Sequence, residues 1–278
     1  MRYLHRLILI LIIAAPTWAA KAPEPAKSTE IKILPHRAFY TLKLESSQKD
    51  SHVKNTDGRM IIELSHDCNG WTLRQESASV TEMKNQDSEI MRSVYTATES
   101  DDGKILDFMT ERVFNEEASD SVQGSAVFTE AGGTISYKTP ESKSLQMKKG
   151  TIAPITHMKK LIQSAREGTQ SLSLPVFDGS FYGNPVQIDA FIGPEKGDCK
   201  ITSVDEIVYP MNLAVYATPS QSSNPNFEIK QRLGSNGITC SYEIDFGDHT
   251  VKGTLDRVEL LPQKACEPNK SAWSKDKK

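Results

Sequence analysis

The chain has 278 residues, with 33 Lys and Arg against 36 Asp and Glu, a formal net charge of −3 and four cysteines. That mild acidity argues against a nucleic-acid partner, which needs a basic surface to meet phosphates. A chain of this size buries about 70 to 75% of its unfolded surface, so one large domain or two small ones could hold a core without outside help.

The first twenty residues, MRYLHRLILILIIAAPTWAA, place Arg2 and Arg6 ahead of an apolar run over 7–15. This is the pattern of a cleavable secretory signal peptide, with the small residues Thr17 and Ala19 ahead of a cut after Ala19. The apolar run is shorter than the ~20 residues that span a bilayer, so no transmembrane segment is expected after cleavage. Removal of 1–19 takes away two positive charges, moving the balance from −3 to −3 − 2 = −5. The expected destination is an oxidising space outside the cytoplasm.

Residues 20–30 contain KAPEPAKSTE, polar and proline-rich without apolar periodicity, and are expected to be a flexible linker. The folded part then begins near Ile31 and runs to 266 as a single domain, followed by a charged tail over 267–278. Period two dominates this domain. In AFYTLKLES, Ala38, Tyr40, Leu42 and Leu44 share one face, while Thr41, Lys43 and Glu45 share the other, as an antiparallel strand with one wet face requires.

The same alternation recurs in GRMIIELS, GWTLRQESASV, RSVYTATES, ILDFMTERVF, GSAVFTEA and GTISYKT, punctuated by the turn sequences TDG, CNG, DDG and AGG. A second set comprises NPVQIDAFIG, MNLAVYA, FEIKQRL, GITCSYEIDF and HTVKGTLDRVELL. The chain is therefore mainly β. Between the two sets, APITHMKKLIQSAREG carries Ile155, Met158, Leu161, Ile162 and Ala165 at helical spacing, with Pro154 at the start and Gly168 just past the end. One amphipathic helix is expected there, covering an open end of the sheet. Lys148, Lys149, Lys159 and Lys160 would let it dock a partner, although such a cluster is also what a solvated face looks like.

Catalytic grammar is thin. Asp178 and Ser180 in FDGSF, with Asp248 and His249 in FGDHT, contain the residue types of a triad, but Asp-Gly and Gly-Asp pairs beside strands are the usual material of hairpin turns. No G-x-S-x-G elbow, C-x-x-C pair, H-E-x-x-H helix or glycine-rich phosphate loop is present. No catalytic, cofactor-binding or metal-ligating residue is assigned. His66, Asp67 and Cys68 are consecutive, and successive strand residues point to opposite faces, so they cannot readily share one ion. His36, His52, His157 and His249 are each isolated and expected at the surface or hydrogen-bonded. Phe181 and Tyr182 are aromatic candidates for partner binding if exposed, but an aromatic in a β protein is more often core, so they are expected there and neither is assigned as a site.

An exported chain with an even number of cysteines calls for disulfides, and Cys68, Cys199, Cys240 and Cys266 allow three pairings. A bond from Cys68 to Cys266 would close a loop of about 200 residues, worth on the order of 5 kcal/mol by chain entropy.

The stretches LPHRAFYTLKL, CNGW over 68–71, LIQSAREGTQSLSLPVFDGS with its helix and strand, YPMNLAVYA, NFEIKQRLGSNGI and IDFGDHTVKGTLDRVELLP together resemble the EipB-type cell envelope integrity proteins of alphaproteobacteria. The resemblance covers nearly the whole mature chain, from Leu34 to Cys266, and rests on the order and spacing of these segments. It implies an open, spiralling antiparallel β-barrel with one main helix in a periplasmic protein that supports the envelope under stress. It implies a periplasmic tetratricopeptide-repeat partner, no enzymatic activity and no cofactor. A carrier of a lipid or other apolar envelope molecule is the alternative, because a barrel can leave an apolar space between sheet and helix. Carried over residue by residue, the family's disulfide is Cys68 to Cys266, which leaves Cys199 and Cys240 either paired as a second bond or free.

Overall fold

The computed structural model describes residues 30–197, 199, 207–218 and 223–263, with the backbone alone at 118 and 119. The expected signal peptide, the linker up to its last residue and the C-terminal tail lie outside the described residues. From Ile31 onward the described chain is one compact unit. Its first eight strands are β1 (His36–Ser47), β2 (Val53–His66), β3 (Gly70–Met83), β4 (Glu89–Ser100), β5 (Ile105–Phe114), β6 (Ala118–Thr129), β7 (Gly132–Thr139) and β8 (Lys143–Met147). Helix α1 (Pro154–Arg166) follows, then β9 (Ser171–Val176), β10 (Val186–Ile192), β11 (Val208–Tyr216), β12 (Phe227–Gly234), β13 (Thr239–Asp245) and β14 (His249–Leu260).

All fourteen strands form one sheet in the order β8-β7-β6-β5-β4-β3-β2-β1-β14-β13-β12-β11-β10-β9. Each half of the chain is thus a meander of hairpins, and the two meanders are joined where β14 pairs antiparallel with β1. Tyr40 stands opposite both Met60 and Leu255 at that join. The sheet remains open between its edges β8 and β9. A single parallel bridge, Ile152 to Val176, touches across the gap: the Ile152 N–H donates to the Pro175 carbonyl at 3.0 Å, and the Phe177 N–H donates to that of Ile152 at 3.0 Å. This is the mainly β architecture expected from the alternation and the open, barrel-like form that the resemblance implies.

The two strands absent from the runs picked out by period two are β8 and β9, the two edges, although SLSLPV of β9 does alternate. In KSLQM only Leu145 and Met147 are apolar, too few to register an alternation. Edge strands have one neighbour instead of two, and short edges with charged residues suit that position.

Inward-facing residues build three clusters along the sheet. One gathers Phe108, Val122, Phe128, Ile135, Tyr137 and Phe177 on β5 to β7 and the start of the β9–β10 loop. Another holds Tyr40, Leu42, Met60, Ile238, Tyr242 and Leu255 around the β1–β14 join, where the Tyr40 hydroxyl donates to the Thr239 carbonyl at 2.8 Å. The third joins α1 to the sheet through Leu64, Trp71, Leu161, Ile162, Met211 and Leu233.

Helix α1 starts at the expected proline, and Gly168, at φ +73°, follows its end. Its N-cap, Ala153, supplies no side-chain bond. The cap comes instead from Glu99 at the end of β4. This carboxylate, 2% exposed, accepts from the Ile155 N–H at 2.6 Å, the Thr156 N–H at 2.9 Å and the Thr156 hydroxyl at 2.5 Å. An anion at a helix N-terminus meets both the free amides and the positive end of the dipole, so the contact pins α1 to the sheet. Burial nevertheless raises the Glu99 pKa, outweighing the bonds from Thr156 and Ile155.

Candidate functional site

The turn HDCNGW joins β2 to β3. Asp67 Oδ1 accepts from the Asn69 N–H at 2.8 Å and the Gly70 N–H at 3.1 Å, so Asp67 shapes the turn. His66 Nε2 donates to Asp101 Oδ1 at 2.8 Å and its ring lies 4.5 Å from that of Trp71. Gly70 is required by close approach: a Cβ there would sit 2.2 Å from the Glu99 carbonyl oxygen. Cys68 is in a disulfide. The expected partner, Cys266, lies outside the described residues. Cys199 and Cys240 are bonded to each other across a 5.3 Å Cα separation and are buried with Val208, tying the segment between β10 and β11 to β13.

The residue types of a triad fall into two separate pairs. The Ser180 hydroxyl donates to Asp178 Oδ1 at 2.8 Å, so it faces its own loop rather than an imidazole. His249 Nδ1 donates to Asp248 Oδ1 at 2.7 Å, and Asp248 also accepts from the Ser51 hydroxyl at 2.8 Å. The His249 bond is the main cause that holds Asp248 below the usual carboxylate range. No hydrogen bond joins the two pairs among the described residues. Nor do three or more His, Cys, Asp or Glu converge where an ion could sit among those residues.

Two of the isolated histidines are buried. His36 Nδ1 donates to the Leu34 carbonyl at 2.7 Å, and burial lowers its pKa. His157 departs from expectation: it is 7% exposed on the buried side of α1, and its Nε2 has no hydrogen-bond partner among the described residues. Burial in these surroundings lowers its pKa to about 4.

The loop over 177–185 is the unusual connection. Instead of turning tightly, it crosses onto β4 to β7. The Tyr95 hydroxyl donates to the Asp178 carbonyl at 2.7 Å, the Thr110 hydroxyl to that of Gly179 at 3.2 Å, and the Tyr137 hydroxyl to that of Gly183 at 2.6 Å. Gly179 has φ +74°, and a Cβ there would lie 2.2 Å from Phe108 Cγ. Phe181 and Tyr182 ride on this loop at 64% and 36% exposure, which corrects their assignment to the core. Their backbone is committed to bridging the seam, so Phe181 packs beneath the Arg112 guanidinium at 4.2 Å and the Tyr182 hydroxyl donates to Glu141 at 2.6 Å.

Two hollows flank the loop. An inner cavity of about 150 Å³ has apolar walls of Val186, Ile188, Val215, Phe227 and Ile229 from β10 to β12, and the loop adds Asp178, Ser180 and Phe181 to its lining. A cleft of about 510 Å³ opens at the seam, lined by Gln146, Lys148, Lys149 and Thr151 on one side and by Pro175, Gln187 and Thr218 on the other. Asn184 borders both hollows. Sequence reading groups Lys148 and Lys149 with the helix; they lie before it, at the seam. Asn184 carries no sequence signal at all. On the face opposite the core, β2 to β5 form a trough of about 350 Å³ over Ile61, Val94 and Val113, flanked by Arg59, Arg92, Glu76 and Glu111.

Among the described residues no helix is long and apolar enough to cross a membrane. The chain is 26% identical over 253 residues to the cell envelope integrity protein EipB of Brucella abortus (strain 2308), an alignment covering 87% of this chain and 90% of that protein. Its fold matches the crystal structure of a beta-barrel-like protein of a domain of unknown function from Brucella abortus, with a TM-score of 0.79 and 25% identity over 83% of this chain and 99% of the other. The profile of the EipB-like family matches residues 27–262. The chain therefore belongs to the EipB-like family.

Proposed function

We propose that this chain is a non-catalytic periplasmic protein that supports cell envelope integrity by binding a protein partner, such as a tetratricopeptide-repeat protein. The observation that carries the reading is similarity to EipB over 87% of the chain, a relative named for envelope integrity. The pairing of Ser180 with Asp178 and of His249 with Asp248 supports a non-catalytic role, since the Ser180 hydroxyl is turned to its own loop and not to the His249 imidazole. The trough over Ile61, Val94 and Val113 supports protein contact, because it combines an apolar floor with charges of both signs on its walls.

The test is a deletion strain challenged with detergent and cell-wall antibiotics, together with in vivo photocrosslinking from Val94 and from Lys159. The reading expects envelope sensitivity restored by the wild-type gene and one reproducible crosslinked protein. A deletion strain as resistant as its parent, or crosslinks only to abundant bystanders, would refute it.

The inner cavity favours a second reading, in which the protein carries an apolar envelope molecule. Valine, isoleucine and phenylalanine make up most of its walls, which suits an apolar guest, with Asp178, Ser180 and Asn184 as the polar groups. Native mass spectrometry of gently purified protein should then show a bound mass.

A further inference from the structure

The seam where the sheet fails to close brings two unlike hollows together. On the inner face of the sheet, Val186, Ile188, Val215, Phe227 and Ile229 supply the apolar walls of a hollow of about 150 Å³, whose rim carries Asp178 and Ser180. On the outside lies the larger cleft of about 510 Å³, and its lining contains Lys148 and Lys149 but no carboxylate. Neither ammonium has an ion-pair partner among the described residues. Two unanswered cations with no acid beside them stand out in a chain whose net charge is −3.

The remaining lining suits a polar head. Gln146, Thr151, Gln187 and Thr218 contribute amides and hydroxyls, and Pro175 and Pro185 contribute flat apolar surface. Asn184, which borders both hollows, makes no side-chain hydrogen bond among the described residues and stands at the boundary between polar and apolar walls. The two spaces together fall within the few hundred Å³ typical of small-molecule sites. An apolar guest without charge would leave the lysines unanswered, and a small anion without a chain would leave the inner cavity empty.

We propose that the seam binds an anionic amphiphile, with its anionic head against Lys148 and Lys149 and an apolar chain passing Asn184 into the cavity beneath. The proposal rests on the apolar-carrier reading and adds to it the charge of the ligand, its orientation and its point of entry. Because the walls come from β8 on one side and β9 and β10 on the other, the ligand also joins the two free edges of the sheet.

Isothermal titration of the mature protein with three probes separates the parts: decyl phosphate below its micellar concentration, decanol, and inorganic phosphate. Decyl phosphate is expected to bind one to one, about tenfold tighter than decanol, as two exposed ion pairs would provide. That advantage should shrink as salt rises, and phosphate alone should bind weakly if at all. The double variant Lys148→Ala, Lys149→Ala should lose the tenfold difference while keeping its affinity for decanol. Ile188→Trp should weaken both chain-bearing probes, with its melting temperature checked against wild type and Ile188→Val as a milder control.

Equal affinity for decyl phosphate and decanol, unchanged in the double lysine variant, would overturn the proposal and leave the carrier reading standing. Binding of phosphate as tight as that of decyl phosphate would overturn it in favour of a simple anion site. Absence of binding by both chain-bearing probes would overturn the proposal and the carrier reading together.

Discussion

His157 makes acid stability a direct test of how α1 is packed. Its imidazole is buried on α1, as are Ile155, Leu161 and Ile162, and Nε2 has no hydrogen-bond partner among the described residues. The ring is therefore neutral in the fold, and its pKa is lowered from 6.5 to about 4 because burial removes water from the charged form. The unfolded chain takes up the proton near pH 6.5 and the folded chain only near pH 4. Stability from this group is thus complete above pH 6.5 and is lost as pH falls towards 4. At about 1.36 kcal/mol per pH unit the loss amounts to about 3 kcal/mol, a large share of the 5 to 15 kcal/mol that hold a typical domain.

His36, also buried with a lowered pKa, adds to the loss in the same direction. Glu99 opposes it: its pKa is raised in the fold, so its stabilisation is present below the ordinary carboxylate range and is lost as pH rises through the raised value. A variant that removes only the titration of position 157 isolates the effect. Urea unfolding of His157→Leu and wild type, followed at pH 7, 6, 5 and 4, should give similar stabilities at pH 7. By pH 4 the wild type should have lost about 3 kcal/mol more than the variant. Parallel stability profiles across this range would refute the argument, because they would mean that the ring is protonated as easily in the fold as in the unfolded chain.

The Cys199–Cys240 bond closes a separation of 41 residues, for which chain entropy predicts about 4 kcal/mol. Cys240→Ser should cost a measurable part of that under oxidising conditions and little under reducing ones; an equal cost in both would point to packing. Cys68→Ser should behave in the same way, and indifference to redox conditions would refute a covalent clasp at that turn. Glu99→Ala should cost about 2 to 3 kcal/mol by stranding the buried Ile155 amide, with faster hydrogen exchange confined to the start of α1. Unchanged exchange there would show that the helix does not depend on its remote cap. Gly179→Ala should destabilise by about 2 kcal/mol or more, since the residue combines φ +74° with close contact to Phe108. Urea unfolding would expose a variant as stable as wild type, and such a result would mean that the loop has freedom to move off β5.

Local regularities were legible in the sequence because period two, turn residues and helical spacing are written in neighbouring positions. Ala38, Tyr40 and Leu42 are buried as their alternation demands, and α1 begins at Pro154. The turn around Cys68 could likewise be read, since Asp67, Asn69 and Gly70 act within their own few residues. Resemblance to a family then supplied the open barrel, which no periodicity contains.

Tertiary structure alone decided which strands are neighbours. Alternation tells which residues share a face, but not that Tyr40 will lie beside Leu255, more than two hundred positions away in sequence. It does not say that Glu99 will cap a helix 56 residues later, or that a nine-residue loop will cross onto β4 to β7. The seam follows from the same cause. Lys148, Asn184 and Gln187 carry no common pattern in the chain, and they line one cleft only because the sheet curls until its two edges approach without pairing.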